Sequence, residues 1–449
     1  LVGFRPPQSF NAALAMIQNV YRLGMAEISG EQGFDLFNVF LAPYVEDTPE
    51  DAVRESLALF LSSVGQDFPT SAGQPGLSLG LEYMVPDFLE SLEAVGPGGR
   101  TVGVYGDYHE EANVILDALL EAASQEALIS PLTNPRLIFK LRDSAERSED
   151  TRSRVLKTHD LAASRTLPYI ALIRDGSRDC YTATGLRLAD DWSKQWESDC
   201  CRTGCMATIF VNLPRIAYDA RKDDDRLFKL MAEAFALARE AFKIKRRFMI
   251  DRLKQPILPL LFGSGQGTPY FREKMATYAI APLGLNEASL AHTGSELRKD
   301  TLIFGERVLQ ELKKQSEAAS EALGMRFVIS ERPGDEATSR LAGLDVENYG
   351  RSAVSAQGGR NHPFYTDLPG VPLTSKIPLG ERLAIEAALQ ASTPGGHLAT
   401  ISVDSKITAD ALVSLTRQAT ASGLRFITYS GLYSFCKNCN RIVTGLAST

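Results

Sequence analysis

The chain has little of what would mark a secreted, membrane-spanning or nucleic-acid-coating protein. No run of eighteen or more apolar residues occurs, which removes the usual signature of a membrane-crossing helix. The first residues lack the basic, apolar, small-residue order of a signal peptide. Cysteine is scarce, six in 449 residues, and is bunched rather than spread: three fall at 200–205 and two at Cys436 and Cys439. That is no disulfide framework, so reduced thiols or metal ligands in the cytoplasm are expected. Positive charge is in deficit, with 48 Lys and Arg against 55 Asp and Glu. Nucleic-acid binding draws on clustered cations that displace counterions from phosphates, so a partner of that kind, or a membrane surface, is not expected. Free nucleotides need only a local pocket and remain open. The five histidines show no metal-ligand spacing.

With 44% apolar and 23% charged residues, the composition is that of a globular chain able to bury a sizeable core. Residues 224–250 place Leu227, Leu230, Met231, Ala234, Leu237, Ala238, Ala241, Ile244 and Phe248 at three-and-four spacing, predicting a long amphipathic helix. Residues 301–323 and 409–422 each read as a helix ending at a glycine, Gly324 and Gly423, and running at once into an apolar strand. A helix packed back on a parallel sheet needs that exit, so the class is α/β. Further strands are expected at 101–105, 137–141, 169–173, 207–212, 257–262 and 398–403. The irregular stretches 65–80 and 345–370 are long enough to be functional loops. Without a low-complexity tract or long linker, one main domain is expected over residues 1–435.

Chemistry concentrates at Asp199-Cys200-Cys201-Arg202-Thr203-Gly204-Cys205, followed by a strand that ends Asn212-Leu213-Pro214-Arg215. Sulfur carries an unpaired electron well, and a buried neutral thiol suits hydrogen-atom transfer better than an exposed thiolate. Asn286 and Glu287, in Gly284-Leu285-Asn286-Glu287, could cap a helix or could hydrogen-bond ribose hydroxyls and move a proton. Pro333-Gly334-Asp335-Glu336-Ala337-Thr338 precedes Ser339-Arg340-Leu341-Ala342, and Cys436-Lys437-Asn438-Cys439 has the spacing of two zinc ligands.

These segments resemble anaerobic (class III) ribonucleotide reductases, a glycyl-radical family in which a Cys-Arg pair precedes an Asn-Leu-Pro-Arg strand. The resemblance runs in patches over nearly the whole chain, including Gln32-Gly33-Phe34-Asp35 and Asn38 to Tyr44. It implies a ten-stranded α/β barrel with a radical-carrying thiol on a finger loop at its centre. In this sequence the family pattern selects Cys201 as that thiol, with Cys200 as runner-up. It further implies substrate contacts from Arg202, Asn212, Asp335, Glu336 and Thr338, and a catalytic role for Asn286 and Glu287. The 333–340 segment has its acid and hydroxyl positions shuffled against the family. Phe364-Tyr365-Thr366-Asp367 lacks the histidine that follows in the family, where Gly370 stands.

The expected reaction is reduction of ribonucleotides to deoxyribonucleotides through 3′-hydrogen abstraction and loss of the 2′ hydroxyl as water. A glycyl radical, deoxynucleotide effectors, a radical S-adenosylmethionine activase and a homodimer are implied by the resemblance alone. Cys436 and Cys439 make half of a zinc ribbon, so residues 436–449 are read as the start of a C-terminal radical region. Gly445 reads as a turn glycine of that ribbon. The chain begins at Leu1 and stops soon after the cysteine pair, as a piece of a longer protein would. Another glycyl-radical enzyme on the same barrel, or a non-catalytic nucleotide-binding relative, are the alternatives.

Overall fold

The computed structural model describes residues 5–66, 76–129, 132–145, 148–164, 168–253, 255, 257–262, 264–265, 268–332, 334–359, 361–367, 370–404, 406–431, 433–436 and 441–444. Nine strands carry its architecture. They are Gln32–Phe34 (β1), Leu77–Glu82 (β2), Arg136–Arg142 (β3), Tyr169–Ile173 (β4), Cys205–Asn212 (β5), Thr277–Leu283 (β6), Arg326–Ile329 (β7), Ala399–Ser402 (β8) and Phe426–Ser430 (β9). One sheet has the order β1-β2-β3-β4-β9-β8, and the other the order β7-β6-β5. Every pairing is parallel except β4 with β9, where Ala171 opposes Phe426. Parallel neighbours need crossovers, and helices supply them: His109–Ile129 between β2 and β3, Glu149–Ser164 between β3 and β4, and Ala409–Ala421 between β8 and β9.

Burial explains why these strands are so apolar. All six residues of β2 and all seven of β6 are buried, because both faces of each sheet are covered. In the larger sheet Leu77, Leu79, Leu81, Leu137, Phe139 and Leu141 point to the helices and join one core. Their alternating neighbours face the other way and carry charge: Glu82, Lys140 and Arg142 are all buried there. The smaller sheet has its own core, built from Ala207, Val211, Tyr278 and Ile280 against the long helices Asp224–Leu253 and Leu302–Leu323.

The sheets meet where the chain leaves β7. Glu331 N donates to Gly396 O at 2.8 Å and Gly395 N to Ile329 O at 2.8 Å, tying the end of β7 to the approach to β8. The expected ten strands in one closed belt are thus met, among the described residues, by nine principal strands in two sheets. Residues 257–262, expected as a strand, are instead the short helix Pro259–Phe262. Proline at the first helical position is pre-shaped for a helix, and the Glu27 carboxylate accepts from Leu260 N and Leu261 N at 2.7 and 2.9 Å. The expected strand at 101–105 is present as Thr101–Val104, paired with Glu93–Val95 outside both sheets. The helix Asp335–Tyr349 takes the first part of the expected 345–370 loop.

Candidate active site

A hairpin, Cys180–Tyr181 with Arg187–Leu188, reaches from the end of β4 into the space the two sheets face. Its turn, Thr182 to Gly185, is fixed at every step. Ala183 N donates to Ser78 Oγ at 3.1 Å, Thr184 N to Glu31 Oε2 at 2.8 Å, and Arg332 Nη1 to Thr184 Oγ1 at 3.0 Å. Tyr181 stacks on Phe426 of β9 with ring centroids 4.7 Å apart. The hairpin therefore bridges the larger sheet and the end of β7, as a finger inserted between them must.

Cys180 is a buried thiol on this hairpin, outside the residues that the sequence pattern singled out. Its Sγ donates to Asp35 Oδ2 at 2.8 Å, and the same oxygen accepts from Lys140 Nζ at 2.6 Å. The hydrogen bond with Cys200, followed by burial and the Asp35 carboxylate, pushes the Cys180 thiol well above its ordinary value. It is a neutral S–H. Burial disfavours a charge on Lys140, yet the carboxylates of Asp35 and Glu82 outweigh it and hold the ammonium protonated. Arg142 clamps Glu82 with two bonds of 2.9 and 2.7 Å. Room for this set comes from Gly80, where an added Cβ would lie 1.9 Å from Asp35 Oδ1. The signal that was available is the turn-rich Thr182-Ala183-Thr184-Gly185 directly after an isolated cysteine.

The predicted thiols stand next to this set, at the amino end of β5. Asp199 is fully buried and accepts from Trp192 N, Ser193 N and Ser193 Oγ, which holds the loop ahead of the short helix Trp196–Cys200. Cys200 is buried against Cys180, Leu186 and Leu188. Cys201 follows as the helix cap, part-buried, its N donating to Glu197 O at 3.1 Å. Burial, the Cys200 sulfur and Asp35 push its thiol up to about 12. Arg202 turns the chain through a left-handed conformation, φ +54°, and its carbonyl accepts from Arg272 N at 2.7 Å. Cys205 opens β5.

Asn212, Asn286, Glu287, Glu336 and Thr338 lie at the opposite, carboxyl end of the three-stranded sheet. Leu283 pairs with Asn212, so the helices Leu213–Ala220 and Leu285–Thr293 start side by side, with Gly334 against Phe210 and Leu283. Helix N-termini grouped at strand carboxyl ends offer unpaired N–H groups to an anion. An eight-residue strand spans roughly 23 Å at ~3.3 Å per residue, so Cys201 is not brought together with Asn286 and Glu287.

Several of these side chains are committed to the fold. Asn212 caps its helix by accepting from Arg215 N and donates to the buried Asp345 at 2.8 Å, which Arg215 and Tyr365 also reach. Asn286 accepts from Leu297 N at 2.9 Å. Glu287 Oε1 accepts from Gln357, Thr366 Oγ1 and Thr366 N, while its buried Oε2 has no hydrogen-bond partner among the described residues. Burial raises the Glu287 carboxyl, favouring a proton on it. Thr338 is buried and Glu336 exposed; Asp335 opens the helix Asp335–Tyr349. A second acid unit adjoins the hairpin turn, where His397 sits 2.8 Å from Glu386 Oε2 and 3.3 Å from Glu331 Oε2.

Cys436 ends the strand Tyr433–Cys436, paired antiparallel with Arg441–Thr444, whereas Cys439 and Gly445 lie outside the described residues. Among the described residues no three His, Cys, Asp or Glu side chains are grouped to hold a metal ion.

Comparison with known proteins follows the same line. The family model described as anaerobic ribonucleoside-triphosphate reductase matches residues 2–449. The anaerobic ribonucleoside-triphosphate reductase of Salmonella typhimurium is 23% identical over 206 residues, 43% of this chain. That match spans 28% of the relative's length. The anaerobic ribonucleotide reductase of Thermotoga maritima, with glycerol in the active site, superposes at a TM-score of 0.79 with 16% identity over 99% of this chain and 71% of that one. The same enzyme in complex with dATP and CTP gives 0.78 and 17%, over 99% and 73%. The fold is thus of the ribonucleotide-reductase type.

Proposed function

Since the chain belongs to the anaerobic ribonucleoside-triphosphate reductase family, we propose that it houses the reduction of a ribonucleotide to a deoxyribonucleotide by thiol-radical chemistry. The observation that carries this is a neutral, buried thiol, Cys180, on a hairpin set between two sheets. A glycyl radical supplies the oxidation that makes such a thiol a hydrogen-atom acceptor. Cys180 then takes the ribose 3′ hydrogen atom, forming S–H and leaving a carbon radical. The 2′ hydroxyl departs as water with a proton from a neighbouring acid, and a dithiol, or formate leaving as carbon dioxide together with one proton from solvent, gives the two electrons and two protons of the net reduction. Burial keeps solvent from the radical.

Asn286, Glu287 and the 334–338 helix start, with Asp335, Glu336 and Thr338, stand a strand's length from Cys180, which packs against Cys200 at the amino end of β5, so they are not assigned to the ribose that meets this thiol. Asn212 supports them through Asp345. A second reading keeps Cys201 as the radical thiol, with Cys200 and Arg202 beside it, favoured by its own protonated sulfur. Cys436 and Cys439 supply two of the four ligands a structural zinc takes, so these residues alone do not complete a site. Residues 1–435 form the catalytic domain and 436–449 begin the ribbon.

A radical S-adenosylmethionine activase and deoxynucleotide effectors are the expected partners, in the cytoplasm; among the described residues no helix is long and apolar enough to cross a membrane. Homodimerisation is supported by the helix Asp224–Leu253, on which Leu237, Ile244 and Phe248 are 74%, 67% and 54% exposed. With Ala241 they follow a heptad seam on which a second copy of the helix can pack.

Deoxyribonucleotide formation by the activated full-length enzyme tests the assignment. Cys180→Ala is expected to abolish turnover while Cys201→Ala retains it; the reverse result transfers the role to Cys201. No turnover by the unaltered enzyme, with nucleotide binding intact in all three, would establish the non-catalytic alternative.

A further inference from the structure

At the root of the hairpin, on the side away from its turn, lies a cavity of about 570 Å³. It opens at the carboxyl ends of β3 and β4, where the sheet switches from parallel neighbours to the antiparallel β9. Crevices outside the carboxyl ends of parallel strands are where open α/β sheets take ligands. Its wall joins apolar Leu141, Leu172, Ile173 and Leu424 to five arginines.

The arginines divide into two groups. Arg142 and Arg187 form the floor and are already neutralised, Arg142 by Glu82 and Arg187 by two bonds to Asp179 at 2.9 and 3.0 Å. Arg174, Arg417 and Arg425 stand exposed at the rim, and neither Arg174 nor Arg425 makes an ion pair among the described residues. With Arg142 paired to Glu82 and Arg187 to Asp179, the three rim arginines stand against Asp143 alone among the remaining charged lining residues, a cationic excess of two in a chain whose net charge is −7. Guanidinium groups at a rim, over an apolar wall, match a planar ring bearing phosphates.

We propose that this cavity binds a phosphorylated small molecule of nucleotide size, held through its phosphates by Arg174 and Arg425. The site is separate from the helix N-termini at the carboxyl end of the smaller sheet, and its existence does not depend on turnover. Asp179 and Arg187 belong at once to the cavity and to the hairpin, bracketing Cys180, so an occupant braces the segment that carries the thiol.

Phenylglyoxal modification read residue by residue by mass spectrometry tests this in the intact protein, with ATP, inorganic tripolyphosphate and adenosine as probes. ATP is expected to slow modification of Arg174 and Arg425 about tenfold, as a charge-assisted contact would. Equal protection by tripolyphosphate means the phosphates suffice; protection by ATP alone means the ring is read as well, and both support the site. Adenosine protecting as well as ATP overturns it, as does no protection by any probe at millimolar concentration. Arg425→Gln, at an exposed position that leaves the fold intact, is expected to weaken ATP protection of Arg174 roughly tenfold; unchanged protection also overturns the proposal. Because protection is read at named arginines without catalysis, its failure is distinct from a failure of ribonucleotide reduction.

Discussion

Replacing Lys140 by Met probes the charged set beneath the hairpin more directly than any thiol substitution. Lys140 is 2% exposed and lies 2.6 Å from Asp35 and 3.6 Å from Glu82. Methionine fills most of the same channel, so little packing is lost. What is lost is the counter-charge: Glu82 retains Arg142, but among the described residues Asp35 keeps the Cys180 thiol as its side-chain hydrogen-bond partner. Stripping one partner from a buried pair costs about 3–5 kcal/mol, and the 20% exposure of Asp35 puts this case near 3 kcal/mol. With a urea m-value of ~3 kcal/mol/M, the midpoint falls by roughly 1 M. Adding Asp35→Asn removes the orphaned charge and is expected to recover about 2 kcal/mol, a coupling of the size seen for contacting residues. Urea denaturation followed by circular dichroism measures all four members of the cycle. A Lys140→Met protein within 0.5 kcal/mol of the parent by the usual scatter of surface changes, or a double variant less stable than the single, refutes the reasoning.

Gly284→Ala meets both a positive φ of +73° and a Cβ placed 2.6 Å from Pro214 Cγ, so a loss of about 1–3 kcal/mol in the same denaturation assay is expected. Burial holds the Glu331 carboxyl up to about 8, against ~4.3 in an unfolded chain. The native state keeps a proton there that the unfolded state releases, so stability declines as pH climbs from about 5 through 8. His397 pulls the same way, because Glu331 and Glu386 raise it despite its burial. Thermal melts are expected to give a lower midpoint at pH 9 than at pH 6, and Glu331→Gln to narrow that gap; a midpoint that rises with pH contradicts the assignment. Ile244→Glu, on an exposed position, is expected to shift sedimentation from dimer to monomer without lowering the melting temperature, and an unmoved dimer means the seam lies elsewhere.

The long helices were legible because one face of each is buried and the other is wet, which leaves a 3.6-residue rhythm in the letters. β2 was harder. Leu77-Ser78-Leu79-Gly80-Leu81-Glu82 alternates like a half-exposed strand, yet its polar side is sealed under the hairpin by Asp35, Lys140 and Arg142. The candidate site suffered from the same cause. Cys200, Cys201 and Cys205 announce themselves by crowding, while Cys180 is solitary in sequence and gains its meaning from Asp35 and Lys140, 145 and 40 positions away. Residues at opposite ends of β5 were grouped because motifs carry no distance. The strand itself supplies it.

The antiparallel junction between β4 and β9 sets an order of events during synthesis. Ala171 and its partner Phe426 are 255 residues apart. At ~5–20 residues per second the ribosome needs roughly 13–50 s to deliver the second after the first. Throughout that interval β4 is a bare, apolar edge able to template pairing with another nascent chain. Assembly of the larger sheet is therefore governed by its slowest, longest-range closure, and the edge of β4 stays unpaired until β9 emerges.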